Sequence, residues 1–274
     1  MRVGQRDPFD PVLFDRVDQT QTPSDYIRLL DAIRNKPNSQ RVREWSAESL
    51  ALGDGDLVLD LGCGTGDDLI AASRQIGPTG LAVGVDLSVT LLAEAKARSG
   101  DIDAIRLIRG NAERLPFKTG TFTGCRVERV LMHTKDPASV VDEILRVLAP
   151  RGRVTIVEPD YDAWFVDSPD PEIDAKVVHA VNRQQRPNVG RTLLRLLRTT
   201  GFADIEISGH LAIYQTVPGG IDVGPVVQRL VDAGDVEADR GQNYLRALAA
   251  AGANNALFSS VPVLSAKATK PRPR

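Results

Sequence analysis

The most informative segment of this chain is Val58-Leu59-Asp60-Leu61-Gly62-Cys63-Gly64-Thr65-Gly66. An apolar run over residues 57–61, interrupted only by Asp60, predicts a buried strand. The glycines after it predict a tight turn that a ligand can approach closely, because glycine adopts conformations closed to other residues. A helix is predicted from Asp67 to Ile76, and its free N–H groups and partial positive charge would face a ligand held over the turn.

Short apolar runs alternate with amphipathic helices downstream of this turn. Strands are predicted at residues 57–61, 81–85, 104–109, 122–127 and 153–157, followed by 205–216 and 258–267. Such alternation predicts βαβ units, and therefore an α/β fold with a central, seven-stranded, mostly parallel sheet and helices on both faces. Ligands of such sheets lie beyond the carboxyl ends of the strands.

Composition narrows the class of protein. The 274 residues include 34 basic and 36 acidic side chains, a formal net charge of −2, which argues against a nucleic-acid partner held by bulk electrostatics. Two cysteines cannot form a disulfide framework or a Cys-rich zinc site, and we expect no metal. The sequence has no apolar run of about 18 residues and no apolar leader, so we expect a cytoplasmic protein without a membrane partner.

The glycine turn differs from the dinucleotide fingerprint G-x-G-x-x-G. Its third glycine, Gly66, comes one position early, and Asp67-Asp68 follows, which places two carboxylates where a pyrophosphate would lie. Asp86 ends the next strand, 86 − 66 = 20 residues past Gly66, where a carboxylate chelates a ribose diol. These features disfavour a nicotinamide dehydrogenase and point together to S-adenosylmethionine.

The motif Asp60-Leu61-Gly62-Cys63-Gly64-Thr65-Gly66, with Leu115-Pro116-Phe117 downstream, resembles class I S-adenosylmethionine-dependent methyltransferases. The chain resembles in particular the branch typified by the methyltransferases of ubiquinone/menaquinone biosynthesis and by many small-molecule methyltransferases of bacterial secondary metabolism. The resemblance covers about residues 55–160 and implies a Rossmann-like fold. We expect a helical arm or lid at 1–50. The methyltransferase domain would span 51–274, with cap insertions near 160–200 and 219–252 that cover the substrate.

The resemblance also implies how the cofactor is held. Asp60 and the turn backbone would contact the methionine end, Asp86 the ribose hydroxyls and Leu87 the adenine. Asn111, where the family usually has Asp, would accept the adenine amino group. The expected cofactor contacts are Asp60, Gly62, Cys63, Gly64, Gly66, Asp86, Leu87, Asn111, Ala112, Val127 and Glu128.

A second set of residues is expected at the methyl acceptor. In the family, the stretch after the fourth strand lines the space between cofactor and substrate, so His133 and Glu128 are the candidate catalytic bases. Arg129 is placed there by location only. The expected substrate pocket consists of Tyr26, His133, Glu158, Tyr161 and Trp164. A basic run, Arg183, Arg186, Arg191, Arg195 and Arg198, is either a solvated helix face or a pocket for an anion.

The resulting expectation is methyl transfer to a C, O or N atom of a small organic metabolite in natural-product biosynthesis, with S-adenosylhomocysteine as the second product. One alternative is an enzyme that binds the same cofactor and catalyses a cyclisation or rearrangement, or a cyclisation triggered by methylation. Another is a non-catalytic cofactor-binding subunit. The sequence also allows a homo-oligomer, since the polar N-terminal arm could reach a neighbouring subunit.

Overall fold

The computed structural model describes residues 14–182, 186, 188–214 and 223–273. The strands in this part of the chain are β1 (Leu57–Leu61), β2 (Leu81–Asp86), β3 (Ile105–Arg109), β4 (Phe122–Glu128), β5 (Leu148–Pro159), β6 (Phe165–Val166), β7 (Ala203–Tyr214) and β8 (Ser259–Thr269). The α-helices are α1 (Pro23–Arg34), α2 (Pro37–Leu50), α3 (Asp67–Gln75), α4 (Val89–Ser99), α5 (Pro137–Val147), α6 (Pro171–Asn182), α7 (Val189–Thr200), α8 (Gly224–Asp232) and α9 (Ala238–Ala253).

These strands form one sheet in the order β3-β2-β1-β4-β5-β8-β6, and β7 pairs with β8. Strands β1 to β5 are parallel, whereas β8 is antiparallel to β5, β6 and β7. The chain reverses its direction across the sheet between β1 and β4, and the carboxyl ends of these two strands therefore border a crevice. The predicted mostly parallel sheet is confirmed, and the two-residue β6 is an addition to it.

The largest apolar core lies on the face of the sheet that α5 and α7 cover. Helix α7 places Val189, Leu193, Leu196 and Leu197 in this core at helical spacing, and it packs on β5 and β8. On the opposite face, Val58 packs with residues of α3, and Val42 of α2 packs on Val157. Helices thus cover both faces, as the alternating pattern predicts.

The region expected to form the cap is divided in the structure. Helices α6, α8 and α9 share a separate apolar cluster with Trp164 and Val261, whereas α7 belongs to the main core. The helix predicted over 219–252 is two helices, because Gly234, with φ of +75°, follows the end of α8. Parts of the predicted elements, at 183–185, 215–216 and 219–222, lie outside the described residues, as does the beginning of the arm at 1–13.

Within the described ranges, no helix is both long enough and apolar enough to cross a membrane. No cluster of three or more His, Cys, Asp or Glu side chains in those ranges is arranged to hold a metal ion.

Candidate active site

A cavity of about 750 Å³ opens at the carboxyl ends of β1, β2 and β4. Its walls are the glycine turn, the loop after β4 and side chains of α1 and α2, and its volume suits a small-molecule site. The structure brings the following predicted cofactor contacts to the lining: Gly62, Cys63, Gly64, Asp86, Leu87, Asn111, Ala112 and Glu128. The predicted pocket residues His133 and Tyr161 line the same cavity.

The glycine turn lies too close to its neighbours to carry side chains. Gly62 has φ of +72°, and a Cβ atom there would collide with Cγ2 of Val130. Gly66 has φ of +78°, and its Cβ would lie 2.9 Å from the Cβ of Ala95. The N–H of Gly62 donates to the carbonyl of Val85 at 2.7 Å, which fixes the turn against the end of β2. Bare backbone therefore forms this wall of the cavity.

Asp86 is oriented by backbone donors on both sides. Its Oδ2 accepts the N–H of Gly64 and its Oδ1 accepts the N–H of Ser88, each at 2.9 Å. Each carboxylate oxygen keeps lone-pair capacity for a hydroxyl donor, and burial raises the pKa of the group. Leu87, 47% exposed, presents an apolar surface beside it. A ribose diol and an adenine ring fit this pair of neighbours.

Asn111 lies on the same side of the cavity and is exposed. Its Oδ1 accepts the backbone N–H of Glu113 at 2.9 Å, the hydrogen bond of an Asx turn. The oxygen retains a second lone pair that an adenine amino group could use.

Three predicted cofactor contacts lie behind the cavity wall. Asp60 is 3% exposed, Val127 lies in the main core and Gly66 packs on α4. Burial raises the pKa of Asp60 to about 6, although Nη1 of Arg126 lies 3.3 Å from its Oδ1. These three residues pack beneath the residues that line the cavity and do not line it themselves.

Arg126 pairs with several carboxylates at this wall of the cavity. The sequence alone did not identify it as a site residue. Arg126 forms ion pairs with Asp60, with Asp68 at 3.0 Å and with Glu128. Arg126 is opposite Asp60 in the β1–β4 register and shares a strand face with Glu128. That two-residue spacing of opposite charges in β4 was the available sequence signal.

The two carboxylates at the start of α3 are both paired with arginine side chains. Asp67 pairs with Arg34 and, at 2.9 Å, with Arg98, while Asp68 pairs with Arg126. Because arginines of the protein already pair with both carboxylates, the presence of Asp67 and Asp68 does not require a positively charged ligand.

Three predicted pocket residues are likewise not brought to the cavity. Tyr26 is fully buried and packs edge-on against Phe14, with ring centroids 5.1 Å apart. Trp164 donates its Nε1 hydrogen to Oγ of Ser259 at 2.8 Å, within the cluster of α6, α8 and α9. Glu158 is fully buried under the loop that follows β4.

Glu158 organises that loop. Its Oε1 accepts the backbone N–H groups of Val130 at 2.8 Å and Leu131 at 2.7 Å, while Oε2 has no hydrogen-bond partner among the described residues. Burial raises its pKa to about 8 despite these amide donors. The loop carries Arg129 and His133 to the cavity, so Glu158 is a positioning residue.

At the loop end of the cavity, His133 packs on Phe14, with ring centroids 5.2 Å apart. Burial lowers the pKa of His133 to about 4, so its imidazole is neutral at pH 7 and can accept a proton. The same effect raises the pKa of Tyr161 to about 12, so its hydroxyl remains protonated. Glu128, the other candidate base, is engaged by Arg126.

The described residues of the basic run, which lies on α7 and just before it, do not line this cavity. Arg191 pairs with Asp160, and none of Arg186, Arg191, Arg195 and Arg198 lines it. Arg183 lies outside the described residues.

The comparisons with known proteins agree with this geometry. The family model described as a methyltransferase domain matches residues 59–156. An uncharacterized 37.1 kDa protein in transposon Tn4556 of Streptomyces fradiae is 31% identical over 240 residues, 86% of this chain and 69% of that protein. The demethylmenaquinone methyltransferase of Lactococcus lactis is 38% identical over 143 residues, 50% of this chain. The match spans 55% of that enzyme's length.

Solved structures share the fold at low identity. Phosphoethanolamine N-methyltransferase 2 of Haemonchus contortus, in complex with S-adenosyl-L-methionine, superposes with a TM-score of 0.63 at 19% identity, over 95% of this chain and 60% of that one. The [4+2]-cyclase SpnF superposes with a TM-score of 0.56 at 20% identity, over 98% of this chain and 100% of that one. The family match and these relatives agree with the glycine turn and the oriented Asp86. The chain therefore belongs to the class I S-adenosylmethionine-dependent methyltransferases, with S-adenosylmethionine as its cofactor.

Proposed function

We propose that this enzyme transfers the methyl group of S-adenosylmethionine to a C, O or N atom of a small organic metabolite. The observation that carries the proposal is that one cavity joins the glycine turn and Asp86 to His133, Arg129 and Tyr161. Bound S-adenosylmethionine supplies an activated methyl group. The remaining task of the protein is to hold the acceptor atom in line with it, at about 3 Å, and to exclude water.

Helices α1 and α2 favour a lid role for the N-terminal arm at residues 1–50. They contribute Leu29, Leu30 and Ile33, together with Ser39, to the cavity lining. In contrast, no described residue of α6, α7, α8 or α9 lines it. We therefore assign the covering of the acceptor to the arm rather than to the later helices.

We favour His133 over Glu128 as the base. Its imidazole is neutral and lines the cavity, whereas the carboxylate of Glu128 is occupied by its ion pair with Arg126. In this role His133 would take the proton that an O–H or N–H acceptor loses. The size of the cavity and the names of relatives such as demethylmenaquinone methyltransferase support a metabolite as the acceptor, and we extend this to natural-product biosynthesis.

Product stoichiometry tests the proposal. The enzyme is incubated with methyl-deuterated S-adenosylmethionine and a panel of small aromatic and terpenoid acceptors, and S-adenosylhomocysteine and labelled product are quantified by mass spectrometry. We expect S-adenosylhomocysteine and labelled product in equal amounts, and the loss of both products in Asp86→Asn. A product that forms without S-adenosylhomocysteine would identify the cyclase alternative, and cofactor binding without any product would favour the non-catalytic subunit.

A further inference from the structure

Arg129 has a strained backbone at the acceptor end of the cavity. Its φ is +55°, a left-handed conformation that costs free energy for a residue with a Cβ atom. The conformation is fixed from both sides, because the Arg129 N–H donates to the carbonyl of Val157 at 2.9 Å and Glu158 holds the next two amides. The strained residue lines the cavity, and strain of this kind is concentrated at functional sites.

The guanidinium of Arg129 is only weakly compensated. Its Nη1 lies 3.6 Å from Oε1 of Glu128, and its Nη2 donates to Oγ of Ser39 at 3.3 Å. The other oxygen of Glu128 is engaged by Arg126. In contrast, Arg126 and Arg34 form close ion pairs with the carboxylates of α3. Arg129 therefore retains N–H donors for a further acceptor.

Two further groups lie near Arg129 without lining the cavity. Lys36 is partly buried, with Nζ 4.8 Å from the ring centroid of Tyr214, and no described carboxylate lies within ion-pair distance of it. Burial and the charge of Arg129 both lower its pKa. The buried Nε2 of His210 has no hydrogen-bond partner among the described residues. The described surroundings of Arg129 outside the cavity lining therefore include a cation that forms no ion pair with a described carboxylate.

From this arrangement we infer that Arg129 binds an oxyanion of the methyl acceptor, so that the acceptor is an anionic small molecule bearing a carboxylate or a phosphate. The inference rests on the proposed function, because it concerns the acceptor of that same reaction. The planar guanidinium presents two parallel N–H donors that match the oxygens of either group. Apolar lining from Phe14, Leu29 and Met132 accommodates the carbon skeleton that carries the anion.

Matched probes test the inference by binding. The complex with S-adenosylhomocysteine is titrated calorimetrically with 4-hydroxybenzoate, phenyl phosphate and 4-hydroxybenzamide, which present a carboxylate, a phosphate and a neutral amide on one ring. At least one anionic probe should bind about tenfold or more tightly than the amide, and the stronger of the two identifies the anion. Equal affinity for the amide and both anions would overturn the inference.

Variants assign the effect to one side chain. Arg129→Gln should abolish the preference for the anion, while Arg195→Gln, the same charge change on the exposed face of α7, should retain it. Arg129→Gly suits the left-handed backbone and should fold with an unchanged or higher Tm, and it too should lose the preference. Affinity for S-adenosylhomocysteine should stay within about twofold in all three variants, because the cofactor end is intact. Persistence of the preference in Arg129→Gln and Arg129→Gly would overturn the inference.

Turnover of the panel separates this inference from the proposed function. If anionic acceptors are methylated, Arg129→Gln should raise KM more than it lowers kcat, because the oxyanion is bound in ground and transition states alike. Methylation of neutral acceptors, unaffected by Arg129→Gln, would leave the proposed function standing and overturn the inference. The absence of any methylated product would contradict the proposed function, and the binding titrations would still decide whether Arg129 holds an oxyanion.

Discussion

The buried carboxyl of Glu158 accepts the backbone N–H of Val130 at 2.8 Å, joining the end of β5 to the loop that follows β4. The same oxygen accepts the N–H of Leu131 at 2.7 Å. A side chain with no exposed surface thus determines where Arg129 and His133 enter the cavity.

Removing the acceptor oxygen of Glu158 should destabilise the protein. Glu158→Ala leaves two buried N–H groups without a partner and should lower the free energy of unfolding by about 3 kcal/mol. Glu158→Gln keeps an acceptor oxygen at the same place and should lose about 1 kcal/mol or less. Urea unfolding of both variants at pH 7 measures the difference. Equal losses would show that the hydrogen bonds to the loop are not the stabilising feature.

The pKa of Glu158 predicts a pH dependence of stability. In the folded protein the group keeps its proton up to about pH 8, whereas its ordinary value is 4.5. Between these values the folded state binds more protons than the unfolded state, so the contribution of Glu158 to stability falls as the pH rises. The wild type should therefore lose stability relative to Glu158→Gln between pH 5 and pH 8. A difference that does not change with pH would contradict the elevated pKa.

His133 should act in the opposite direction. Burial lowers its pKa from 6.5 to about 4, so the unfolded state binds more protons in this interval and stability is lost as the pH falls through it. His133→Gln should remove that loss, while His179→Gln, an exposed change on α6, should retain it. As a general base, His133 should also give no acidic limb near pH 6.5 in kcat/KM. Such a limb, absent only from His133→Gln, would show that the imidazole is more basic than its burial implies.

Asp86 should dominate the affinity for the nucleoside. Asp86→Asn replaces an oxygen that can accept from a ribose hydroxyl with an amide donor, and should weaken S-adenosylhomocysteine binding about 100-fold. Asp101→Asn changes the same charge on the surface and should leave the affinity unaltered. Isothermal titration calorimetry measures all three proteins. Retained affinity in Asp86→Asn would place the ribose elsewhere.

The glycine turn and the loop after β4 should be energetically coupled. Gly62→Ala brings a Cβ against Val130 at a positive φ and should cost about 3 kcal/mol of stability. Gly201→Ala also places a Cβ at a left-handed position, the C-cap of α7, with no atom within 4 Å, so it should cost about 1 kcal/mol. Combining Gly62→Ala with Val130→Ala should recover at least about 1 kcal/mol of the loss. Strict additivity in this cycle would mean that the collision is relieved by movement elsewhere.

The positions of the main strands and of Asp86 could be predicted because their signals are local. Strand alternation, a glycine turn and a carboxylate at the end of the next strand all lie within short sequence windows. The N-cap of α4 is also indicated by a local signal, since Ser88 directly precedes the helix. The Oγ of Ser88 accepts the N–H of Leu91 at 3.2 Å. The start of helix α1 is harder to place from the sequence, because Ser24 is a good N-cap residue by type, whereas Thr22 occupies the N-cap position and Pro23 begins the helix.

The acceptor end could not be derived in the same way, because it depends on side-chain directions that tertiary packing sets. The rotation of α1 turns Tyr26 into the core and Leu29 toward the cavity, and sequence spacing does not specify that rotation. Arg129 was noted by location only, since no sequence pattern marks an arginine with positive φ. Trp164 satisfies its Nε1 hydrogen within the separate cluster, where its aromatic character suggested a pocket wall.

If the glycine turn and Arg129 are the two ends of one methyl-transfer site, a crystal structure of the complex with S-adenosylhomocysteine will show it. We expect the ribose hydroxyls within hydrogen-bond distance of the Asp86 carboxylate, and the sulfur atom facing the space between Arg129, His133 and Tyr161. A ligand whose ribose lies away from Asp86, or whose sulfur is separated from Arg129 and His133 by protein, would show that the two ends belong to different sites.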